Sequence, residues 1–231
     1  MSNQLLPQAW EDMSTAVAAA PTASAAEISI YASLAYRWRV IVTAVSLTIG
    51  LAVVLFSGPL RAQPFWFNAT LVTLSWSTLG LGLAIRLWGT AAIAGRKGIT
   101  VVCDGPYALC RNPLYWGTFL IAVSMTLFLQ SEVFAVSLVP PVLLYLFAVV
   151  PAEERFLQHR LGSNYTNYCA RVPRWWPKWS AVSLVRISPA SSVGWYAECH
   201  RQIIWWLLPA LAYATCVTRN LAWWPQFFFF S

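Results

Sequence analysis

Charged side chains are scarce in this sequence, at 10% of its 231 residues, whereas a soluble domain carries about 25%. So few charges cannot cover the surface of a soluble domain of this size. Hydrophobic residues make up 58% of the chain, which excludes intrinsic disorder. Cysteine is also scarce, with five residues at no repeating spacing, so a disulfide-rich scaffold is excluded. The class that remains is an integral membrane protein.

Five windows of the sequence lack Asp, Glu, Lys and Arg altogether. They are residues 40–60, 62–85, 112–131, 133–152 and 202–218. Each is long enough for the ~17–25 helical residues that cross a bilayer. We therefore predict an all-α, polytopic membrane helical bundle of about five transmembrane helices, with spans three and four joined as a helical hairpin. The last window contains Pro209, and a re-entrant or interfacial helix is its alternative.

The basic residues are distributed unevenly between the two sides of these spans. Of the 15 Lys and Arg residues, only Arg61 and Arg219 fall on one side. The positive-inside rule then places the N-terminus and both long polar segments in the cytoplasm. We predict a mobile tail at 1–36 without a cleaved signal peptide, a core at 37–201 with cytoplasmic segments 87–112 and 151–201, in which a water-accessible active site would lie, and a C-terminal aromatic-rich helix at 202–231. Membrane lipids, and no nucleic acid, are the expected partners of the basic side.

The third span begins with a group of residues suited to binding an anion. Pro113 fits the first turn of a helix, and Asn112 fits the N-cap position. Free N–H groups at a helix start, with Arg111 beside them, attract a carboxylate or a phosphate. In the alternative interpretation, Arg111 only reaches lipid headgroups and Asn112 only caps the helix.

Acidic and aromatic residues follow the fourth span. Glu153 and Glu154 are adjacent where the chain leaves the membrane, which is costly unless they are paired or solvated. Because neighbouring helical residues point ~100° apart, we expect at most one of them to face a site. Tyr165, Tyr168 and Arg171 recur at i, i+3 and i+6, so we expect them to share one face near this pair, for which simple packing is the alternative.

Together these segments resemble the isoprenylcysteine carboxyl methyltransferase and phospholipid methyltransferase superfamily. The resemblance rests on the run from Arg111 to Gly117, the hairpin, the Glu153-Glu154 pair, and a run that ends in an Arg-Val-x-Arg motif. It covers roughly residues 86–177. Asn112 stands where the family more often has His, so a hydrogen bond is retained but an ionisable imidazole is not.

The resemblance implies a membrane methyltransferase that uses S-adenosylmethionine. The acceptor would be lipophilic, either an isoprenoid or prenylcysteine-like carboxylate or a lipid headgroup amine. Arg111 and the helix start would hold the methionyl carboxylate, a glutamate would hold the ammonium or ribose hydroxyls, and Tyr107 and Tyr115 would contact the adenine or the sulfonium. The implied cofactor-binding residues are Gly105, Tyr107, Arg111, Asn112, Pro113, Tyr115, Gly117, Glu153 and Glu154. The implied catalytic residues are Glu154, Arg171 and Tyr168, the last two orienting the acceptor.

Two other functions remain open at this point. Steroid and sterol reductases resemble the same arrangement but use NADPH, and a non-enzymatic membrane protein would explain Asn112 as the mark of a lost site. Because His159 and His200 are far apart and no Cys-x-x-Cys occurs, we predict no metal. Cys103 and Cys110 lie on the predicted cytoplasmic side and should be reduced thiols.

Overall fold

A computed structural model of the chain describes residues 34–57, 64–179, 196, 200 and 203–227. Much of the predicted N-terminal tail lies outside the described residues. The α-helices are α1 (Leu34–Leu55), α2 (Phe65–Ile93), α3 (Pro113–Leu129), α4 (Glu132–Ser137), α5 (Val139–Leu144), α6 (Val150–Arg171) and α7 (Ile203–Arg219). A 3₁₀ turn at Gly105–Ala108 precedes α3, and a π-helical turn at Tyr145–Val149 joins α5 to α6. The predicted all-α membrane bundle is confirmed.

Three helical stretches in the described part are long and apolar enough to cross a membrane. They are Arg37–Leu55, Phe65–Ile93 and the run Glu132–Arg171, with 19, 29 and 40 residues. The shorter α3 is also apolar, with 17 residues. The chain is therefore an integral membrane protein. The α7 helix fills the fifth predicted window, and its passage through the bilayer stays a prediction.

The second helix is longer than its charge-free window. It continues past Arg86 to Ile93, so the first residues of the polar segment predicted at 87–112 are helical. Arg86 is buried because α3 and α7 supply its contacts. Its guanidinium donates to the Thr118 hydroxyl and to the Leu114 carbonyl oxygen at 3.2 Å, and it lies 4.0 Å from the ring centroid of Trp205. A charge placed against polar atoms and an aromatic ring is tolerated inside a helix bundle.

The helices alternate in direction, so several of their termini meet at one end of the bundle, here called the turn end. The indole of Trp224, beyond α7, donates to the Leu55 carbonyl oxygen at 2.9 Å. Arg219, in the last turn of α7, is buried and donates to the Leu129 carbonyl oxygen at 3.0 Å. A cation at this position complements the negative end of the α3 dipole. The ends of α1, α3 and α7 therefore lie together, as the alternation of spans predicts.

The hairpin turn between α3 and α4 is short. Gln130 ends α3 in the left-handed region, with φ 46°. Ser131 then caps α4, its side-chain oxygen accepting from the Phe134 amide at 3.3 Å. The predicted helical hairpin of spans three and four is confirmed.

Glycines bring α2 and α3 into close contact at the opposite end, here called the site end. A Cβ added to Gly82 would lie 2.9 Å from the Gly117 carbonyl oxygen, and one added to Gly117 would lie 2.7 Å from the Gly82 carbonyl oxygen. Small residues at such contacts let helix backbones approach each other inside a membrane. This contact fixes where the N-terminus of α3 lies relative to α2.

Candidate functional site

An ion triad joins three segments at the site end. Glu154, near the start of α6, has a side chain only 10% exposed. Its Oε1 lies 3.3 Å from Nη1 of Arg111, and its Oε2 accepts from Nη2 and Nε of Arg174 at 2.6 and 3.0 Å. This hydrogen bonding raises the pKa of the Arg174 guanidinium. Two guanidinium groups thus surround one carboxylate, so the triad has an excess positive charge.

A short extended segment after α6 folds back over the start of α3. We call residues 173–178 the strap. Pro173 lacks an N–H and follows the end of α6, so the helix does not continue into the strap. The strap exchanges backbone and side-chain hydrogen bonds with residues 109–116. These are Arg111 N–H to the Pro173 carbonyl at 2.9 Å, Lys178 N–H to the Leu109 carbonyl at 2.9 Å, and the Trp116 indole to the Trp175 carbonyl at 2.6 Å.

Asn112 connects the strap to the ion triad. It occupies the N-cap position of α3, as predicted, but its side chain accepts no capping hydrogen bond. Instead, Nδ2 donates to Glu154 Oε1 at 3.4 Å and to the Arg174 carbonyl oxygen at 3.2 Å. The expectation of a side-chain cap is therefore wrong, because carboxylate and carbonyl acceptors draw the amide away from the helix start.

We expect the Asn112→His substitution to make binding of S-adenosylmethionine, the cofactor that the resemblance implies, depend on pH. One amide nitrogen has two N–H groups and serves both acceptors, whereas neutral imidazole has one N–H in the whole ring. Only the imidazolium donates from both nitrogens. The Glu154 carboxylate favours this form and the guanidinium groups of Arg111 and Arg174 oppose it, so we take the usual imidazole pKa of ~6.5 as the reference. The variant should therefore bind its cofactor well at pH 6 and progressively less well up to pH 8.

Isothermal titration calorimetry between pH 6 and pH 8 measures the cofactor affinity of the variant and of the wild type. Asn112→Asp serves as a size-matched control, because it removes both donors and should weaken binding throughout. Identical pH profiles for the wild type and the histidine variant would contradict the double-donor role.

Glu153 has a different partner from its neighbour. The Tyr115 hydroxyl donates to Glu153 Oε2 at 2.7 Å, and the Tyr115 ring lies 5.5 Å from that of Tyr145. The two adjacent carboxylates thus reach α3 at different points, as the ~100° between successive helical residues predicts. Glu154 belongs to the ion triad, and Glu153 belongs to a tyrosine cluster one turn further along α3.

The two tyrosines of α6 are buried, whereas the arginine that follows them is exposed. Tyr165 and Tyr168 are buried, and the Tyr168 hydroxyl donates to the Tyr107 carbonyl oxygen at 2.8 Å. Arg171 is exposed, so the expectation that all three share one face is wrong. Six residues correspond to ~600°, which leaves position i+6 ~120° away from position i. The catalytic roles of Tyr168 and Arg171 stay predictions.

Several predicted cofactor residues shape the backbone around the triad. Gly105 has φ 59° at the start of the 3₁₀ turn, a conformation that favours glycine. Pro113 occupies the first turn of α3. Gly117 lies against α2, where an added Cβ would be 2.5 Å from Arg86 Cγ. These contacts are structural, and cofactor binding by Gly105, Pro113 and Gly117 stays a prediction.

Two arginines near the site were not predicted as site residues. Arg174 was visible in the Arg-Val-x-Arg motif, but nothing local in the sequence indicates that it returns to Glu154. Arg86 directly follows the charge-free window 62–85, so its position in the sequence gives no sign of a place inside the bundle. The places of Arg86 and Arg174 in the structure depend on contacts between segments that are distant in sequence.

The site end has properties that suit an amphoteric small molecule. The Nε atom of Arg111 is buried and has no hydrogen-bond partner among the described residues. The first N–H groups of α3 receive no side-chain cap, and such groups favour an anion. The nearby carboxylates of Glu153 and Glu154 complement a cation or hydroxyl groups. In the part of the chain that the structure describes, no group of three or more His, Cys, Asp or Glu residues is placed to hold a metal.

Two curated proteins are similar to this chain over much of its length. The nickel-cobalt-cadmium resistance protein NccN of Alcaligenes xylosoxydans xylosoxydans is 28% identical over 82% of this chain and 86% of its own length. The cobalt-zinc-cadmium resistance protein CzcN of Cupriavidus metallidurans is 35% identical over 62% of this chain and 63% of its own length. No solved structure is significantly similar.

The family comparison covers the helices that build the site. Residues 65–164 match the phospholipid methyltransferase family. This range contains α2, the 3₁₀ turn, α3, the hairpin and Glu153-Glu154, and it ends before the strap. The resemblance predicted from the motifs is therefore confirmed over residues 65–164, where the chain matches the phospholipid methyltransferase family.

Proposed function

We propose that this chain is a membrane methyltransferase that transfers a methyl group from S-adenosylmethionine to a lipophilic acceptor. The observation that carries the proposal is the ion triad, in which Glu154 lies between Arg111 and Arg174 beside the uncapped start of α3. Members of the phospholipid methyltransferase family generally depend on S-adenosylmethionine. An excess positive charge next to two carboxylates matches the carboxylate and ammonium of a methionyl group.

Each part of the site has a proposed role toward this cofactor. Arg111 and the first N–H groups of α3 bind the methionyl carboxylate, and Arg111 Nε provides a buried donor for it. Glu154 or Glu153 accepts hydrogen bonds from the ammonium or the ribose hydroxyls. Tyr107 and Tyr115 contact the adenine or the positively charged sulfur. When bound, the cofactor supplies the methyl group on a sulfonium, and the protein aligns donor with acceptor and excludes water.

The acceptor is proposed to be a membrane amphiphile that presents a carboxylate or an amine. A carboxylate is already deprotonated and needs no base. An amine has to lose a proton, for which Glu153 and Glu154 are the proposed bases. Arg171 and Tyr168 are proposed to orient the acceptor's polar end. From the distribution of Lys and Arg, we propose that the site end faces the cytoplasm.

Direct binding of the two candidate cofactors tests the proposal. We expect the purified protein in lipid nanodiscs to bind S-adenosylmethionine saturably and not to bind NADPH. Arg111→Ala should weaken that binding at least ~10-fold, because hydrogen bonds to charged groups contribute about 1.5–3 kcal/mol each. Arg155→Ala is the matched control, since Arg155 is exposed on the same helix as Glu154 and donates to the Pro151 carbonyl oxygen of its own turn.

The other outcomes each support a different function. Binding of NADPH alone would identify a membrane reductase, and binding of neither cofactor would indicate a non-enzymatic membrane protein. The acceptor is identified by mass spectrometry of lipids from cells with and without the protein, searching for species heavier by one methylene. Because both relatives are named for metal resistance, the comparison is repeated with added nickel and cadmium.

A further inference from the structure

An apolar groove runs along the outer face of the hairpin, between α3 on one side and α4 and α5 on the other. It has a volume of about 340 Å³. Its one hydroxyl group, on Thr126, donates to the Ala122 carbonyl oxygen of its own helix at 3.0 Å. The side chains that line the groove are Phe119, Ala122, Val123, Thr126, Leu127, Ala135, Leu138, Val139, Val142 and Leu143.

The groove leads toward the candidate site at one of its ends. At the site end of the hairpin, the rings of Tyr115 and Tyr145 meet at 5.5 Å, and the Tyr115 hydroxyl donates to Glu153. A lipid chain on an ordinary helix surface has no such end. A polar group is therefore placed at the site end of the groove.

The helical register of α3 connects the groove to the candidate site. Tyr115, Phe119, Ala122 and Thr126 follow at intervals of four, three and four residues, which places them on one face of the helix. From Phe119 to Leu127 the groove extends about 12 Å along α3, at 1.5 Å per residue. Tyr115 lies one turn beyond Phe119. A hydrocarbon chain in the groove would thus hold its polar end at Tyr115 and Glu153.

We propose that this groove binds one hydrocarbon chain of a membrane amphiphile and presents its head group to Tyr115 and Glu153. The volume lies at the lower limit of the ~300–1,000 Å³ that is usual for ligand pockets, which suits a single chain. The lining is no more apolar than the surrounding lipid, so selectivity comes from the head group and the length of the groove. That this amphiphile is the methyl acceptor rests on the proposed function.

Photo-crosslinking tests the groove without requiring activity. The probes are a long-chain alkylamine and a fatty acid of equal length, each with a diazirine at mid-chain, added to the full-length protein in nanodiscs. We expect labelled peptides to concentrate between residues 119 and 143 and to be displaced by the unmodified probe. The better-labelling probe identifies the preferred head group. Labelling spread evenly over α2, α7 and the hairpin would overturn the proposal.

Filling the groove provides a second measurement. Ala122→Phe and Ala135→Phe, made separately, should raise the KM for a long-chain acceptor by about tenfold, as expected when a pocket loses room for part of its ligand. Cofactor affinity should stay within about twofold, and shorter acceptors should be less affected. Ala214→Phe, on the exposed face of α7, is the matched control. If the two groove variants and the control variant have equal KM values for the long-chain acceptor, the proposal is overturned.

The two experiments separate the groove from the proposed chemistry. Labelling confined to the hairpin in a protein that binds no S-adenosylmethionine supports the amphiphile site and contradicts the methyltransferase. Methyl transfer with normal kinetics in both groove variants, together with dispersed labelling, contradicts the groove and leaves the methyltransferase standing.

Discussion

The Glu154→Gln substitution should destabilise the protein and abolish cofactor binding. Glutamine leaves Arg111 and Arg174 next to each other without the carboxylate that neutralises them. Removing one partner from a buried ion pair costs about 3–5 kcal/mol, and we expect about 3 kcal/mol because the Arg174 side chain is 42% exposed. The free energy of unfolding in a detergent titration measures the first effect, and calorimetric titration with S-adenosylmethionine measures the second.

Two further variants isolate the role of the charge. Glu132→Gln removes an exposed carboxylate at the turn end, where we expect a change within about 0.5 kcal/mol. Combining Glu154→Gln with Arg174→Gln removes both partners of a pair, so the double variant should be more stable than the sum of its single changes predicts. Additive losses, or cofactor binding by Glu154→Gln at wild-type affinity, would contradict the ion triad as the centre of the site.

The Gly117→Ala substitution should have the largest effect on helix packing. Its Cβ would lie 2.5 Å from Arg86 Cγ and 2.7 Å from the Gly82 carbonyl oxygen. A backbone atom cannot rotate away, so α2 and α3 have to separate, and the hydrogen bonds of Arg86 to α3 are disturbed with them. Overpacking usually costs about 1–3 kcal/mol and occasionally more, and we expect about 3 kcal/mol because both neighbours belong to the facing helix.

Gly80→Ala is the matched control for this prediction. Gly80 lies on the same helix as Gly82, and a Cβ added there would meet nothing within 4 Å. Alanine should therefore be neutral or stabilising by up to about 1 kcal/mol, as helix propensity predicts. The same detergent titration compares the two variants. Equal unfolding free energies for them would show that the α2–α3 contact is less tight than its geometry indicates.

The helices were largely predictable, because hydropathy windows depend on composition within a short stretch of chain. The charge-free windows do not give the end of a helix where a charged residue is accommodated by other helices. Arg86 ends a charge-free window, yet α2 continues to Ile93, because Leu114, Thr118 and Trp205 provide its contacts. No count along the sequence reveals that a cation has partners on α3 and α7.

The site was predictable only in part. The proximity of Arg111 to Glu154 follows from the motifs at the start of α3 and the end of the hairpin. The strap does not follow from any local pattern, since its contacts with Asn112 span 62 residues. Arg171 shows a different kind of error. A spacing of three residues keeps Tyr165 and Tyr168 near one helix face, but the six residues from Tyr165 to Arg171 do not.

The strap also determines the order in which the site can be assembled during synthesis. Arg111 and Glu154 are both present once the hairpin has been translated, whereas Arg174 and the carbonyl that accepts from Asn112 arrive later. Glu154 precedes Arg174 by 20 residues, which corresponds to about 1–4 s at 5–20 residues per second. During that interval the Glu154 carboxylate has only one of its two arginines. The ion triad is therefore a late event in biogenesis, completed after the apolar helices before it have entered the membrane.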